Sequence, residues 1–381
     1  MQLALYLHLP FCVRKCTYCA FNSRPLPPGG AGEDLLRRYL GALEAELRLA
    51  AAFTGKQTLR SIYFGGGTPT LLAAPDLIHI LEQTTRYFNW SPAIEITVEA
   101  NPGTVSRAKL RPLREAGVNR ISLGAQSFNP GELRLLGRVH GVREIYASCR
   151  DARAAGFENL SLDLIYGIPG QTPAAWRRSL QQALALGPEH LSVYGLILEE
   201  GTPLAGEVAA GRLEPCSEED QLAMWEATAE LLAAAGYERY EIASFARPGR
   251  RCRHNLAYWR NRPYLGIGAG AHGYFGGVRY ANHADVERYL QALAEERLPR
   301  AWEENQTPEQ ERIDTIIMGL RLTRGLSLRA FKARFGVAFT ELYRCELDRL
   351  ARAGLIEADE TSVFLTPRGR LLANYVLAHF V

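Results

Sequence analysis

Short runs rich in leucine, β-branched and aromatic residues recur through the first half of the chain, at Leu3 to His8, Leu59 to Phe64, Ile94 to Glu99, Arg120 to Ala125, Asn159 to Tyr166 and His190 to Ile197. Between them lie longer stretches with apolar residues at helical spacing: Glu33 to Ala52, Ala74 to Phe88, Ser106 to Ala116, Glu144 to Ala155 and Pro173 to Leu186, several halted by a glycine (Gly117, Gly156, Gly187). The first pattern predicts strands and the second helices. Their alternation predicts an α/β chain with a parallel sheet and right-handed crossovers, curled or closed into a barrel-like array. Ligands of such sheets collect at the carboxyl ends of the strands, so the residues that close each strand carry the most information.

The rhythm changes after residue 200. A helix is expected over Glu218 to Ala235 and a strand over Tyr237 to Ser244, followed by a stretch rich in glycine, arginine and aromatics through Tyr280. A second unit is expected from Thr307, with helices at Glu309 to Leu322, Leu328 to Phe335 and Phe339 to Ala353 and a two-strand candidate around Glu357 to Leu365. Its last helix would open with Thr366 as N-cap and Pro367 in the first turn. The chain thus divides into 1–200, 201–306 and a small winged-helix-like α+β domain at 307–381. Such a domain alone would suggest DNA, but its basic residues are offset by Glu341, Glu346, Asp348, Glu357, Asp359 and Glu360, and no nucleic-acid partner is expected. Pro25 to Gly32 reads as a mobile loop, either a surface connector or a lid.

With 47% apolar and 22% charged residues over 381 positions, intrinsic disorder is excluded. Lysine and arginine number 44 against 41 acidic residues, so the net charge of +3 carries no whole-molecule argument for a nucleic-acid or membrane partner. No apolar run approaches the roughly 20 residues needed to span a bilayer. No basic segment precedes the first apolar stretch, so no secretory signal is expected. The seven cysteines are an odd number, with Cys12, Cys16 and Cys19 inside eight residues. That is not a disulfide framework; a tight thiol cluster points to metal or redox chemistry in the reducing cytoplasm.

The spacing C-x3-C-x2-C on one loop suits three corners of a cubane iron–sulfur cluster and leaves the fourth iron without a protein ligand. Zinc, with His8 as a fourth ligand, and inert buried thiols are the alternatives. Gly65-Gly66-Gly67-Thr68-Pro69 follows the second strand, where missing side chains let a ligand approach the backbone. It lacks the Lys-Ser/Thr pair of a P-loop, and a plain tight turn would look the same. Glu99 and Gln126 close the third and fourth strands, Arg138 follows in Leu135-Leu136-Gly137-Arg138, and Asp163 lies inside an otherwise apolar strand. A carboxylate there is costly to bury unless paired or liganded, so Asp163 and Glu99 either serve a ligand or pair with an arginine.

At these residues the chain resembles the radical S-adenosylmethionine (SAM) superfamily, whose cluster loop has this spacing and usually an aromatic before the third cysteine, here Tyr18. The words Tyr6-Leu7-His8-Leu9-Pro10-Phe11-Cys12 and Cys19-Ala20-Phe21-Asn22 are similar to the oxygen-independent coproporphyrinogen oxidase group, and specifically its haem-chaperone branch. The resemblance implies a partial (β/α)6 barrel with extra C-terminal elements. It also implies a [4Fe-4S] cluster on Cys12, Cys16 and Cys19, with SAM chelating the open iron. One or two SAM molecules would be contacted by Tyr6, Tyr18, Gly66, Gly67, Thr68, Glu99, Gln126, Arg138 and Asp163.

The oxidase branch carries a further cysteine two residues after the third, here Phe21, and a longer segment ahead of the cluster than the eleven residues present. The chaperone branch has the motif HNxxYW, here His254-Asn255-Leu256-Ala257-Tyr258-Trp259. It implies bound haem, with His254 as an axial iron ligand, Cys252 as a competitor, and Arg251, Arg253, Arg260 or Arg262 for the propionates. His254 could instead be a hydrogen-bonding residue in a packed loop. The glycine-rich stretch Tyr264 to Gly273 lacks the frame of a dinucleotide site. Within it, His272 either lines the cofactor cavity or is structural. The implied activity is a cytoplasmic haem chaperone serving haem-dependent respiratory proteins; the alternative is oxidative decarboxylation of coproporphyrinogen. Dimerisation, and membrane contact through a partner, are left open.

Overall fold

Six parallel strands lie side by side in chain order in the computed structural model, which describes residues 2–381: β1 (Gln2–Leu9), β2 (Thr58–Gly66), β3 (Asn89–Ala100), β4 (Arg120–Gln126), β5 (Leu160–Tyr166) and β6 (His190–Gly195). The helices between them are α1 (Gly30–Thr54), α2 (Ala74–Tyr87), α3 (Arg107–Glu115), α4 (Pro130–Leu135), α5 (Val142–Ala154) and α6 (Pro173–Ala185). Alternation along each strand sorts the side chains onto two faces. Leu5, Leu7 and Leu9 of β1, Ile62 and Phe64 of β2, Ile121, Leu123 and Ala125 of β4, and Leu160, Leu162 and Leu164 of β5 enter one core with Leu43, Leu47, Leu77 and Leu180 of the helices. The other face carries Tyr6 and His8, Ser61 and Tyr63, Thr97 and Glu99, Arg120 and Ser122, Ser161 and Asp163, and Ser192 and Tyr194. The inner face of this array is therefore polar, although each strand is mostly buried.

Seven further segments extend the array. They are β7 (Glu238–Arg239), β8 (Ser244–Ala246), β9 (Tyr264–Ile267), β10 (His272–Phe275), β11 (Val278–Asn282), β12 (Arg300–Asn305) and the helix α9 (Arg253–Trp259), after α7 (Pro203–Ala209) and α8 (Glu218–Ala234). The twelve strands run β12-β11-β10-β9-β1-β2-β3-β4-β5-β6-β8-β7, with β9 parallel to β1 and β8 antiparallel to β6. Both ends of this order are edges, so the array curls but stays open. The strand expected over Tyr237 to Ser244 is broken instead into β7 and β8. Between them Glu241 folds back to accept the Ala243 amide at 3.0 Å, and that local turn interrupts the ladder.

Pro25 to Gly32 is less free than the sequence implied. Arg24–Pro25 pairs with Phe11–Cys12, and Gly30 already begins α1. After α10 (Val286–Ala294), the C-terminal segment opens with α11 (Pro308–Gly319), whose Thr307 and Gln310 form a reciprocal capping box. It continues through β13 (Leu326–Ser327), α12 (Leu328–Phe335), α13 (Phe339–Leu342), α14 (Arg344–Arg352), β14 (Ile356–Ala358) and β15 (Ser362–Leu365). The single helix expected over Phe339 to Ala353 divides at Tyr343, whose ring packs against Phe339 and Phe380. Phe331, Phe339, Leu350, Val363 and Val376 form a core separate from that of the large sheet. Among the described residues no helix is long and apolar enough to cross a membrane.

Candidate functional site

The cysteine loop is held from both sides. Thr17 donates its amide and hydroxyl to the carbonyls of Leu136 (3.2 Å) and Leu135 (2.8 Å) at the C-terminal end of α4, and Arg14 donates to the Gly137 carbonyl at 2.7 Å. On the other side Asn22 donates to the carbonyls of Ala269 (2.9 Å) and Ala284 (3.0 Å). Each sulfur has its own polar neighbour: Thr68 Oγ1 donates to Cys12 Sγ at 3.6 Å, Arg138 to Cys16 Sγ at 3.3 Å, and Ser23 Oγ lies 3.7 Å from Cys19 Sγ. Burial pushes the Cys12 thiol upward, a cost that a bound cation would remove. Among the described residues no three His, Cys, Asp or Glu side chains gather closely enough for a single ion. His8 is unavailable as a zinc ligand, because Tyr6 Oη (3.0 Å) and the Asn22 carbonyl (2.8 Å) occupy both ring nitrogens. Three spread thiols, each with a polar partner, fit a cubane better than one zinc ion.

All three cysteines line one cavity of about 370 Å³ at the carboxyl ends of β2 to β6, together with Tyr18, Gly66, Gly67, Glu99, Gln126, Arg138 and Asp163. The glycine run is tightly constrained. Gly66 has φ +111°, and a Cβ there would lie 2.6 Å from the His8 ring; a Cβ on Gly67 would lie 2.5 Å from the Phe11 carbonyl oxygen. Thr68 is buried and receives a hydrogen bond from Asn101 at 2.7 Å. Gln126 sits in the left-handed region at φ +65°, next to a register shift between β4 and β5, so strain is stored where its side chain enters the cavity. Tyr18 packs on Leu136, Ile165, Ile168 and Leu204.

Two carboxylates face the cavity. Glu99 accepts from Tyr63 Oη (2.7 Å) and the Gly66 amide (3.3 Å). Burial, reinforced by the charge of Asp163, pushes it up to about 7. Asp163 accepts from Ser122 Oγ at 3.2 Å and is also pushed upward by burial. Neither carboxylate forms a direct ion pair among the described residues, and the buried Arg120 guanidinium is near enough to favour the charged form of both. Arg138 spans the site, bonding the Asn101 side chain and the Gly124 carbonyl, while its Nε lacks a partner.

Sequence reasoning missed Arg120, Ser122, Asn101, Tyr63 and Ser192, which line the same cavity. The signal was the period of two in Arg120-Ile121-Ser122-Leu123-Gly124-Ala125-Gln126: every second residue lines the cavity.

A second cavity, of about 560 Å³, shares Gly66, Glu99, Ala20 and Phe21 with the first. Tyr6, Tyr258, Tyr264, His272 and Met318 complete much of its wall. His254 lines neither cavity. It is 1% exposed, its Nδ1 lies 3.0 Å from Ser61 Oγ, and its Nε2 lies 2.8 Å from Tyr258 Oη. Both ring nitrogens are engaged, which is the hydrogen-bonding arrangement that the sequence offered as the alternative to iron ligation. Its ring stacks on Tyr63 at 5.0 Å, and burial lowers its pKa to about 3. Cys252 is buried against Glu95 (3.5 Å), whose carboxylate also caps α9 through the Arg253 and His254 amides, and is equally unavailable. Arg251 pairs with Glu238 at 2.6 Å, and Arg253 donates to the Ala93 carbonyl at 2.5 Å.

Parallel strands that present a three-cysteine loop, a glycine cradle and acceptor carboxylates at one end of the sheet are the architecture of the radical SAM proteins. A model of the Radical SAM superfamily matches residues 6–183, and one of the HemN C-terminal domain matches residues 306–372. The chain belongs to the HemW family within that superfamily. It is 40% identical over 377 residues to "Heme chaperone HemW" of Bacillus subtilis, covering 99% of this chain and 98% of that protein. It is 38% identical over 374 residues to the protein of the same name from Mycobacterium tuberculosis, covering 98% and 93%. The solved structure of coproporphyrinogen III oxidase (HemN) from Escherichia coli, a radical SAM enzyme, superposes with a TM-score of 0.85 at 27% identity, covering 100% of this chain and 90% of that one. The family implies a [4Fe-4S] cluster and SAM.

Proposed function

We propose that this protein takes up haem in the cytoplasm and hands it to haem-dependent respiratory proteins. The observation that carries the reading is likeness, along nearly the whole chain, to proteins named as haem chaperones. In this reading Cys12, Cys16 and Cys19 hold the cluster. Tyr6, Tyr18, Gly66, Gly67, Thr68, Glu99, Gln126, Arg138 and Asp163 surround SAM. When bound, the cluster supplies the single electron that can cleave the sulfonium carbon–sulfur bond. The chain's own residues position and screen: Thr68, Ser23 and Arg138 offer donors to sulfur, Gly66 and Gly67 admit the ligand to the backbone, and Glu99 and Asp163 offer acceptors to its hydroxyl and ammonium groups. Residues 1–200 carry the cluster, 201–306 complete the haem cavity, and 307–381 form a packing unit without a nucleic-acid role.

The test is anaerobic titration of the cluster-loaded protein with haem. A saturable Soret band, with haem then transferred to an apo-respiratory haem protein, is expected; no binding ends the reading. A second reading, oxidative decarboxylation of coproporphyrinogen, is favoured by the superposition on HemN. Against it stands Phe21, 69% exposed, at the position where the oxidase branch carries a further cysteine. Incubation with coproporphyrinogen, SAM and a reductant is expected to give no protoporphyrinogen, and efficient turnover would replace the first reading with the second.

A further inference from the structure

We propose that His272, and not the motif histidine, is the protein ligand to haem iron, and that haem occupies the second cavity beside the cluster loop. The inference rests on the haem-binding reading above and assigns the site of that binding. Its first support is the state of the histidines. His8, His190 and His254 each have both nitrogens engaged, His140 is buried against the Ala125 carbonyl, and His79 faces Glu44 on the outer surface. His379 bonds the Tyr375 carbonyl in the C-terminal unit, and His283, half-buried, is absent from the wall of the second cavity. Among the described residues, His272 is the histidine that combines an exposed ring, no hydrogen-bond partner and a place in the wall of a cavity next to the cysteine loop.

The surroundings suit a porphyrin. The cavity, about 560 Å³, falls in the range of roughly 300–1,000 Å³ usual for cofactor pockets. Tyr258, Tyr264 and Phe21 give it aromatic walls, Tyr6 together with the shared Gly66 and Glu99 forms its boundary with the SAM site, Met318 contributes a thioether, and the exposed Trp302 lies edge-on to His272 with ring centroids 6.0 Å apart. The turn that precedes it, with Gly268 and Gly270 at φ +108° and +76°, is tied to the cluster loop through Asn22 on the Ala269 carbonyl. Among the described residues no lysine or arginine lines the cavity, so the propionates would face solvent.

This placement also gives the HNxxYW motif a role that needs no iron bond. His254 holds Tyr258 by its hydroxyl, and Tyr258 packs edge-on to Tyr264 at 4.6 Å. His254 is therefore a positioning residue that shapes the haem cavity from behind.

The experiment uses the full, cluster-loaded chain titrated anaerobically with haem and read by absorbance and by electron paramagnetic resonance of the ferric state. His272→Ala and His272→Gln are expected to lose the imidazole-ligated spectrum and at least tenfold in affinity, and free imidazole is expected to restore the spectrum to His272→Ala. His254→Gln is expected to keep the imidazole-ligated spectrum while losing less affinity. Unchanged spectra in both His272 variants, or loss of the iron–imidazole signature in His254→Gln alone, would overturn the assignment while leaving haem binding standing. Absence of haem binding in the wild type would overturn the haem reading itself and the assignment with it.

Discussion

The two cores of this molecule treat buried polarity differently. In residues 307–381 the only buried polar side chains among those described are Thr315 and Thr366, and each hydroxyl is satisfied by a nearby carbonyl, Glu311 and Gly354 respectively. The large sheet buries the ionisable side chains His8, Glu46, Glu95, Arg120, Glu132, His190 and His254; single unpartnered atoms occur in both regions, Arg120 Nε and Arg138 Nε beside a cavity and Arg312 Nε, Thr323 Oγ1 and Arg370 Nε in the C-terminal unit, so the difference lies in buried charge. Buried charge is tolerated in a protein only where something repays it. The contrast teaches that the C-terminal unit is built for packing, and that the inner face of the sheet is built around ligands.

The largest effect expected from this contrast is loss of the cluster. Cys12→Ser, Cys16→Ser or Cys19→Ser should each abolish stable cluster reconstitution, measured as bound iron and sulfide, whereas Cys345→Ser in the C-terminal unit should leave both unchanged. Next comes the glycine cradle. Gly67→Ala places a methyl group 2.5 Å from the Phe11 carbonyl oxygen, so it should push the start of the cysteine loop out of place and weaken SAM binding at least tenfold by calorimetry; near-wild-type affinity would show that the loop's position there does not govern SAM binding. Glu99→Gln and Asp163→Asn should each cost about 1–3 kcal/mol of SAM binding, the usual loss when a buried charged hydrogen bond is broken, with little change in iron content.

Two smaller effects concern stability. Glu46 is 1% exposed and accepts from the Gly268 amide (2.8 Å), Tyr289 Oη (2.7 Å) and Asn282 Nδ2 (2.6 Å). Burial raises its pKa from about 4.5 to about 7 despite these bonds. The folded chain therefore holds a proton that the unfolded chain has released between those two values, and stability falls as pH rises through that window, by up to about 3 kcal/mol. Denaturant unfolding from pH 5 to 8 should show this slope in the wild type and a flatter one in Glu46→Gln. Smallest of all, Thr366→Ala removes the cap received by the Gly369 amide at 2.9 Å. It should cost about 1 kcal/mol of stability and leave cluster content and SAM affinity untouched.

How much of this was legible in the sequence follows the same division. The six parallel strands announced themselves because each is a compact apolar run set off by a helix long enough to show its period. The cysteine loop was legible because ligand chemistry fixes spacing along the chain. In the segment from 201 to 306 the helix Glu218–Ala234 was legible but the strands were not, because strands of two to six residues, such as Glu238–Arg239, are too short for periodicity to register. His254 misled for another reason. A motif reveals residue type but not burial, and only the fold shows Ser61, from β2, and Tyr258, one helical turn on, occupying both ring nitrogens. Arg120 was overlooked because it opens a strand whose following residues are mostly apolar, while the inward alternation that gives it meaning needs the neighbouring strands.

The most direct test of the central claim is electron paramagnetic resonance of the reduced, anaerobically reconstituted protein with and without SAM, alongside iron, sulfide and zinc analysis. Close to four irons and four sulfides per chain, with a reduced-cluster signal that shifts when SAM is added, is the expected result. Stoichiometric zinc in place of iron, or a cluster signal indifferent to SAM, would contradict it.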